Sequence, residues 1–208
     1  MSSSNFTLSA PPNTDIWRKP PTTDRYNCPT RLSDPKPLNL FKSARISFSA
    51  TWIQQYDQGG LLLQFSHPSA TNVFDKKDSP PKWLKTGVEF YYGKPYVSTV
   101  GCDRFADWSI FPVTEEGPVT LEARREGDEH GKSLWIYQLV LGKDGEVVER
   151  KPLREVGWFF ADEKDEGWEV VVGAYACRPA KGDCGELEVK FADLQVEWKR
   201  SVAAGEDA

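Results

Sequence analysis

The sequence is poor in the residues that most often build metal and nucleophile sites. It contains only two histidines, His67 and His130, and its four cysteines form no CxxC pair. A Cys/His zinc site is therefore not expected, and a serine or cysteine nucleophile has poor support from a nearby base. Motifs of the GxSxG, GxGxxG, P-loop and HExxH types are also missing. We therefore expect neither a metal nor a cofactor.

Long apolar runs and basic blocks are missing as well. The first thirty residues are polar and rich in proline, so we expect no secretory signal, and no segment approaches the length of a transmembrane helix. The formal net charge is −5, with Lys and Arg spread among Asp and Glu, which leaves no footprint for a phosphate backbone. We expect a cytoplasmic protein that binds neither nucleic acid nor a membrane.

This expected location bears on the cysteines. Free thiols are the default in a reducing compartment. The number of cysteines is nevertheless even, at four, and Cys177 and Cys184 could meet across a short connection. The sequence leaves open whether these two residues pair.

Aromatic side chains are what the sequence has in quantity, with eight Trp, eleven Phe and seven Tyr. Aromatic residues suit the half-buried surface of a β-sheet, so we expect about two-thirds of them to fill a core. The others are available to line a ligand-binding face. A length of 208 residues, 39% of them hydrophobic and 27% charged, fits one large globular domain.

Short segments with alternating polarity, separated by turn residues, follow one another from residue 44 onward. In the first of them Ile46 and Phe48 alternate with Ser47 and Ser49, which is typical of a half-buried strand. The predicted strands are Ala44–Ile53, Leu61–Ser66, Trp83–Tyr92, Pro95–Cys102, Asp107–Phe111, Val119–Glu126, Ser133–Leu141, Glu146–Lys151, Leu153–Phe160, Glu169–Cys177 and Gly185–Trp198. Their spacing predicts an all-β fold, a two-sheet antiparallel β-sandwich.

The segments outside these strands have a different composition. Residues 1–43 are rich in proline, which discourages long helices and central strands. They also contain apolar anchors such as Ile16 and Trp17, so we expect an irregular arm that packs on the domain from about residue 15 onward. Residues 44–200 form the predicted sandwich, and the small, charged residues 201–208 form a flexible tail.

Side-chain parity assigns two faces to the strand Trp83–Tyr91. Leu84 and Val88 belong to the face that we expect to be core. Lys85, Glu89 and Tyr91 belong to the opposite face. Gly87 lies between Lys85 and Glu89 and leaves space there.

Further polar and aromatic residues on other strands could join this face. The predicted ligand-binding residues are Lys85, Glu89, Tyr91, Ser98, Trp108, Glu122 and Arg124. One interpretation is a solvated sheet face with cross-strand ion pairs, each contributing about 0.2–1 kcal/mol. The other is that Lys85, Glu89, Trp108 and Arg124 converge at the floor of a cleft. Charged groups beside flat aromatic rings suit sugars and other oxygen-rich metabolites.

Taken together, several phrases of the sequence resemble the fungal "regulation of enolase" family, a group of concanavalin-like proteins. The phrases are FTLSAPPNTDIWRKPPTTDRYNCPT, TWIQQYDQGGLLLQF, WLKTGVEF, DWSIFP, VTLEARREG, REVGWFF and VVGAYACRP, and the resemblance as a whole covers about residues 6–198. The resemblance implies a concanavalin A-like jelly roll whose concave sheet binds glycans. It also implies that WLKTGVEF and DWS place Lys85, Glu89 and Trp108 on that sheet or at its rim, and that Arg124 lies on the VTLEARREG strand.

Three functions are compatible with these features. The first is a non-catalytic binding or regulatory module that holds a sugar or small metabolite and contacts a metabolic enzyme, a link that the family name implies. The second is a lyase, isomerase or cyclase in which Lys85 and Glu89 exchange a proton and Arg124 holds an anion without a metal. The third, a glycoside hydrolase with Glu89 and Glu122 as its carboxylate pair, rests on fold analogy alone.

Overall fold

The computed structural model describes residues 5–113 and 117–200, and β-strands dominate it. The strands are β1 (Phe6–Ala10), β2 (Ile16–Lys19), β3 (Thr23–Tyr26), β4 (Thr30–Leu32), β5 (Lys36–Pro37), β6 (Phe41–Ala50), β7 (Gln58–Ser66), β8 (Trp83–Tyr91), β9 (Lys94–Cys102), β10 (Ala106–Pro112), β11 (Val119–Asp128), β12 (Gly131–Leu141), β13 (Val147–Val156), β14 (Glu169–Cys177) and β15 (Leu187–Trp198). Within these two ranges the one helical element is a 3-10 turn at Leu38–Leu40, and no helix is long and apolar enough to cross a membrane.

Two large antiparallel sheets face each other. The six-stranded sheet has the order β1-β15-β6-β11-β12-β13, and the seven-stranded sheet has the order β10-β9-β8-β7-β14-β4, with β5 also paired to β14. Leu84 and Val88 from the second sheet pack in one buried cluster with Ile46, Phe48 and Leu121 from the first. The predicted two-sheet β-sandwich, a concanavalin A-like jelly roll, is confirmed, and so is the predicted core face of β8.

The proline-rich segment differs from the irregular arm that the sequence predicts. It forms short strands from Phe6 onward, because β1 pairs with β15 at the edge of the six-stranded sheet. Strands β4 and β5 pair with β14, while β2 and β3 form a separate hairpin. Proline is tolerated at the edges of sheets and in short strands, so the composition does not exclude such pairing. The tail at 201–208 lies outside the described residues.

One predicted break between strands is also absent. Glu146–Lys151 and Leu153–Phe160 were expected as two strands, but β13 runs through Pro152 as far as Val156. Strand β13 is the outer strand of its sheet, where a residue without an N–H group can be accommodated on the unpaired side. Residues 157–160 form turns instead.

The β2–β3 hairpin creates a second apolar cluster on the outer face of the seven-stranded sheet. Ile16 of the hairpin is fully buried there against Trp83, Val100 and Tyr175. Trp17, from the same strand, is partly buried against the same cluster. The sheet is therefore covered on both faces near β8, which explains why almost the whole of that strand is buried.

The same cluster answers the question about the cysteines. Cys177 is buried in it, and Cys184 lies in the connection that follows, but both are free thiols. Burial raises the pKa of the Cys177 thiol well above its ordinary value, and a hydrogen bond with Cys28 raises it further. The neighbour of Cys177 is therefore Cys28 of the N-terminal segment, which also packs against the cluster.

Candidate functional site

A cavity of about 280 Å³ lies on the outer face of the seven-stranded sheet, beside the β2–β3 hairpin. Its walls come from β2 and the residue before it, from β7 and the turn before it, from β8 and β10, and from the residues after β14. The lining residues are Asp15, Trp17, Lys19, Tyr56, Gln58, Lys85, Glu89, Trp108 and Pro179. The cavity therefore combines aromatic rings, two ammonium groups and two carboxylates.

Strand register explains how these side chains meet. Lys85 of β8 pairs with Val100, which in turn pairs with Trp108 of β10, so all three project from the same face. Four residues along β8, Glu89 pairs with Gln58 of β7. The sheet therefore presents Lys85 and Trp108 in one row and Glu89 and Gln58 in another.

Two glycines form the row between them. Gly60 of β7 pairs with Gly87 of β8, so the sheet face is bare between Lys85 and Glu89. A Cβ atom at Gly87 would lie 2.1 Å from the carbonyl oxygen of Gly59, a distance that backbone atoms cannot accommodate. The glycines thus allow a close approach of β7 and β8 and leave room above the sheet.

Gly87→Ala should therefore lower the free energy of unfolding by at least about 2 kcal/mol, since β7 and β8 must move apart to admit the methyl group. Gly101→Ala is the matched control on the neighbouring strand, because its Cβ would meet only the Trp158 ring at 3.4 Å, and we expect a change below about 1 kcal/mol. Urea unfolding of the two variants tests the comparison. Equal stabilities would contradict the close approach at Gly87.

Lys85 is a buried cation held by polar partners. Its side chain is 2% exposed, its ammonium group donates to Gln58 Oε1, and it lies 3.9 Å from Asp15 Oδ1. The Tyr175 ring lies 5.9 Å from the same ammonium group. A buried ammonium needs such partners because desolvation alone costs several kcal/mol. The bond to Gln58 uses one of its three N–H groups, so another can donate to a ligand oxygen in the cavity.

Glu89 lies at the other end of the cavity and is also buried. Its carboxylate accepts a hydrogen bond of 2.9 Å from the Ser98 hydroxyl. The Ser98 hydroxyl oxygen in turn accepts a hydrogen bond of 3.0 Å from Trp108 Nε1. Burial raises the pKa of Glu89 above its ordinary value, and this effect exceeds the opposing attraction of Lys85. Ser98 therefore fixes both the carboxylate and the indole wall.

The raised pKa predicts how stability depends on pH. At a pH above its native-state pKa, charged Glu89 lowers the free energy of unfolding, because the folded protein buries the charge. This loss of stability disappears as the pH falls through the native-state pKa toward the ordinary value of 4.5. Glu89→Gln should therefore be more stable than the wild type at neutral pH, with a difference that shrinks on acidification. Thermal unfolding of both proteins between pH 4 and 8 measures this difference. A variant less stable than the wild type at neutral pH, or a difference independent of pH, would refute the assignment.

Glu122 and Arg124 do not belong to this site, contrary to the predicted convergence. Both lie on β11 in the six-stranded sheet, on the face that points away from the sandwich core. Glu122 pairs with Arg150 at 2.7 Å and with Arg124 at 3.6 Å. Packed sheets are about 10 Å apart, so the whole sandwich separates these residues from the cavity. The predicted pairing of Glu89 with Glu122 is wrong for the same reason.

The other predicted residues are close together. Lys85, Glu89 and Trp108 line the cavity, Ser98 bonds to two of them, and the Tyr91 ring packs edge-on against Trp108 with centroids 5.2 Å apart. The predicted convergence at the floor of a cleft therefore applies to the residues on β8, β9 and β10. The ion-pair interpretation describes β11, where Glu122 and Arg124 form such pairs.

Sequence reasoning missed the residues that enclose the cavity from above and from the side. Asp15 and Trp17 belong to the proline-rich segment, while Tyr56 lies in the turn before β7 and Gln58 is the first residue of that strand. Trp17 was recognised as an anchor, but nothing in the local pattern placed it over β8. In residues 5–113 and 117–200, no group of three or more His, Cys, Asp or Glu side chains is arranged to hold a metal ion.

Comparisons with known proteins assign the chain to a family. The family described as protein of unknown function (DUF1349) matches residues 1–199. An uncharacterized protein of Emericella nidulans is 47% identical over 194 residues, which cover 92% of this chain and 86% of that protein. A functionally unknown protein of Saccharomyces cerevisiae has a similar crystal structure, with a TM-score of 0.61 at 20% identity over 94% of this chain and 89% of that chain.

A larger bacterial protein contains the same fold. The GH43 protein BlXynB of Bacillus licheniformis matches with a TM-score of 0.50 at 13% identity, over 91% of this chain and 31% of that one. At these identities the two structural similarities establish the β-sandwich and nothing further. The function must therefore be argued from the cavity.

Proposed function

This chain belongs to the DUF1349 family, and we propose that it is a non-catalytic binding protein that holds a sugar or another small, oxygen-rich metabolite in the cavity on β8. The observation that carries the proposal is the buried Lys85, oriented by Gln58 and Asp15 beneath the aromatic walls Trp17 and Trp108. An ammonium donor, carboxylate acceptors and ring faces together match the hydroxyls and C–H faces of a sugar.

A regulatory role is the second part of the proposal. The resemblance to the "regulation of enolase" family supports contact with a metabolic enzyme in the cytoplasm, with the bound metabolite as the signal. The GH43 protein of similar fold provides only an analogy for a connection with carbohydrates. The cavity itself is the stronger support, because its volume of about 280 Å³, just below the roughly 300–1,000 Å³ typical of pockets for drug-sized ligands, suits one small ligand.

A thermal-shift screen of saccharides, sugar phosphates and sugar acids tests the binding proposal. A ligand at a hundred times its Kd should stabilise the native protein by about 2.7 kcal/mol. Lys85→Met should abolish the response because it removes the buried donor. Arg124→Met is the matched control on the opposite sheet and should respond like the wild type. If no compound in the panel stabilises the protein, or if both variants respond equally, the proposal fails.

Proton transfer by Glu89 is a second candidate function, favoured by its raised pKa. An enzyme of this kind would use Lys85 and Glu89 as a pair, without Arg124. Each compound found in the screen can be incubated with the protein and followed by NMR. We expect the ligand to be recovered unchanged. Conversion by the wild type but not by Glu89→Gln would replace the binding proposal with an enzymatic one.

A further inference from the structure

Aromatic side chains continue outward from two of the residues that line the cavity. Tyr56 and Trp108 line the cavity, and the Tyr91 ring lies between them, with its centroid 5.6 Å from that of Tyr56 and 5.2 Å from that of Trp108. Tyr91 also packs against Tyr92 at 4.3 Å and Tyr96 at 6.4 Å. We call these five residues the aromatic rim. They form one continuous set of rings that begins inside the cavity and ends in solvent.

The rim is not explained by packing of the core. Tyr92 is 78% exposed and Tyr56 is 39% exposed, so their rings add little to the buried apolar area. Both residues also have positive φ, at 45° for Tyr92 and 68° for Tyr56. Bulky residues rarely adopt this conformation, which persists only where the surroundings hold it, and such strain clusters at binding sites.

Specific hydrogen bonds hold the two strained tyrosines in place. The Tyr56 N–H group donates to the Phe90 carbonyl at 2.7 Å, and the Tyr92 N–H group donates to the Gln55 side chain at 3.2 Å. A hydrogen bond with Tyr92 also raises the pKa of the Tyr91 hydroxyl. The turn before β7 and the turn after β8 are therefore joined, and together they present the rim beside the cavity.

The charges of the cavity indicate which ligand the rim extends. Lys19 and Lys85 are matched by Asp15 and Glu89, so the cavity favours neither an anion nor a cation and instead offers donors and acceptors to neutral hydroxyls. Its volume of about 280 Å³ encloses only a small ligand. A longer ligand that leaves the cavity beside Tyr56 and Trp108 would meet the Tyr91 ring and the rest of the rim, whose ring faces suit the C–H faces of sugars.

We propose that the aromatic rim is a second binding subsite, which takes the next sugar ring of a neutral saccharide whose terminal ring occupies the cavity. This inference rests on the proposed function and deepens it, because it names the ligand class as saccharides of two or more units. The alternative occupant of an exposed aromatic patch is a protein partner. A saccharide is favoured because the rim is continuous with the cavity and shares Tyr56 and Trp108 with it.

Calorimetric titration with four homologous series tests the inference, using glucose, galactose, mannose and xylose and their two- and three-unit oligomers. In at least one series the disaccharide should bind about three- to tenfold more tightly than the monosaccharide, the increment expected for one aromatic contact. Tyr92→Ala should remove this increment and leave the affinity for the monosaccharide unchanged. Tyr92→Phe keeps the ring and should retain most of the increment.

Tyr137→Ala provides the matched control, because this tyrosine stacks on Trp135 in the six-stranded sheet, away from the cavity. It should behave like the wild type. Equal affinities for one and two units would overturn the rim subsite and leave the cavity proposal intact. Loss of monosaccharide binding in Tyr92→Ala would contradict the division into two subsites. If no series binds at any length, both the rim and the saccharide form of the cavity proposal fail.

Discussion

Arg178→Met should lower the free energy of unfolding by about 3–5 kcal/mol, because it leaves the carboxylate of Asp57 buried without its counterion. The side chains of the pair are 4% and 0% exposed, and they form two parallel hydrogen bonds of 2.8 and 2.7 Å. Such a bidentate pair is stable only while both members are present. Urea unfolding monitored by tryptophan fluorescence measures the loss.

The same substitution should also affect the candidate site. Asp57 accepts hydrogen bonds from the Ile53 and Gln54 N–H groups at 3.1 and 2.9 Å, so it holds the turn that carries Tyr56. We therefore expect Arg178→Met to weaken saccharide binding as well as stability. The losses of stability and of binding have the same expected cause. Without Arg178 the Asp57 carboxylate must be hydrated, and its hydrogen bonds to the turn weaken.

Two further variants separate this explanation from a general sensitivity to charge removal. Lys42→Met breaks a surface pair with Glu197, whose members are 51% and 57% exposed, and should cost less than about 1 kcal/mol. Adding Asp57→Asn to Arg178→Met removes the buried charge and keeps an acceptor for the turn, so part of the stability should return. If Arg178→Met is no more damaging than Lys42→Met, the buried pair does not have the assigned importance.

Arg18→Met is expected to release the β2–β3 hairpin from the sheet. Arg18 is fully buried, and its guanidinium donates to Asp24 at 3.2 Å, to Ser79 Oγ at 2.8 Å and to the Pro80 and Pro81 carbonyls at 2.7 and 2.9 Å. Asp24 Oδ2 has no hydrogen-bond partner among the described residues, so loss of Arg18 removes the counterion of a buried carboxylate and leaves it the hydrogen bond from Ser79 Oγ to Oδ1. A cost of about 3–5 kcal/mol is expected.

This cost need not unfold the whole domain, so hydrogen exchange is the appropriate measurement. Amides of residues 16–26 should lose protection in Arg18→Met, while those of β7 and β14 remain protected. Ligand binding should fall with the hairpin, since Trp17 and Lys19 are cavity walls. Arg18→Lys keeps the charge but not the planar fork and should give an intermediate loss. Unchanged protection in residues 16–26 of Arg18→Met would show that apolar contacts alone hold the hairpin.

The candidate site was only partly predictable from the sequence, because parity assigns the faces of a strand but not the sheet that the strand joins. Parity within β8 correctly assigned Lys85 and Glu89 to one face and Leu84 and Val88 to the other, because alternation is a property of the strand itself. Applied to β11, the same rule places Arg124 opposite Leu121 and Ala123, on the outward face that it occupies. It could not tell which sheet the strand joins, and β11 joins the sheet opposite to β8.

The sequence pattern could not predict that the β2–β3 hairpin covers the site, for a similar reason. Trp17 and Arg18 lie in a segment whose prolines predict irregular chain. Trp17 nevertheless lines the cavity, and Arg18 anchors the hairpin by a hydrogen bond to Pro81, more than sixty residues away in the sequence. Buried polar partners of this kind are chosen by geometry in the folded state, and no periodicity marks them. The glycine pair Gly60 and Gly87 likewise becomes meaningful only when the two strands are aligned.

The sequence by itself determined most of the strands after residue 44, their faces and the two-sheet sandwich, since these follow from alternation, turn residues and the need to bury an apolar face. It also identified Lys85, Glu89 and Trp108 as neighbours, because β8, β9 and β10 follow one another along the chain and consecutive strands commonly pair. Only the tertiary structure decided that Arg124 lies on the far sheet, that an N-terminal hairpin covers β8, and that tyrosines from two separate turns form one rim. Those arrangements depend on contacts between distant segments, which are selected by the packing of the whole domain rather than by any local pattern.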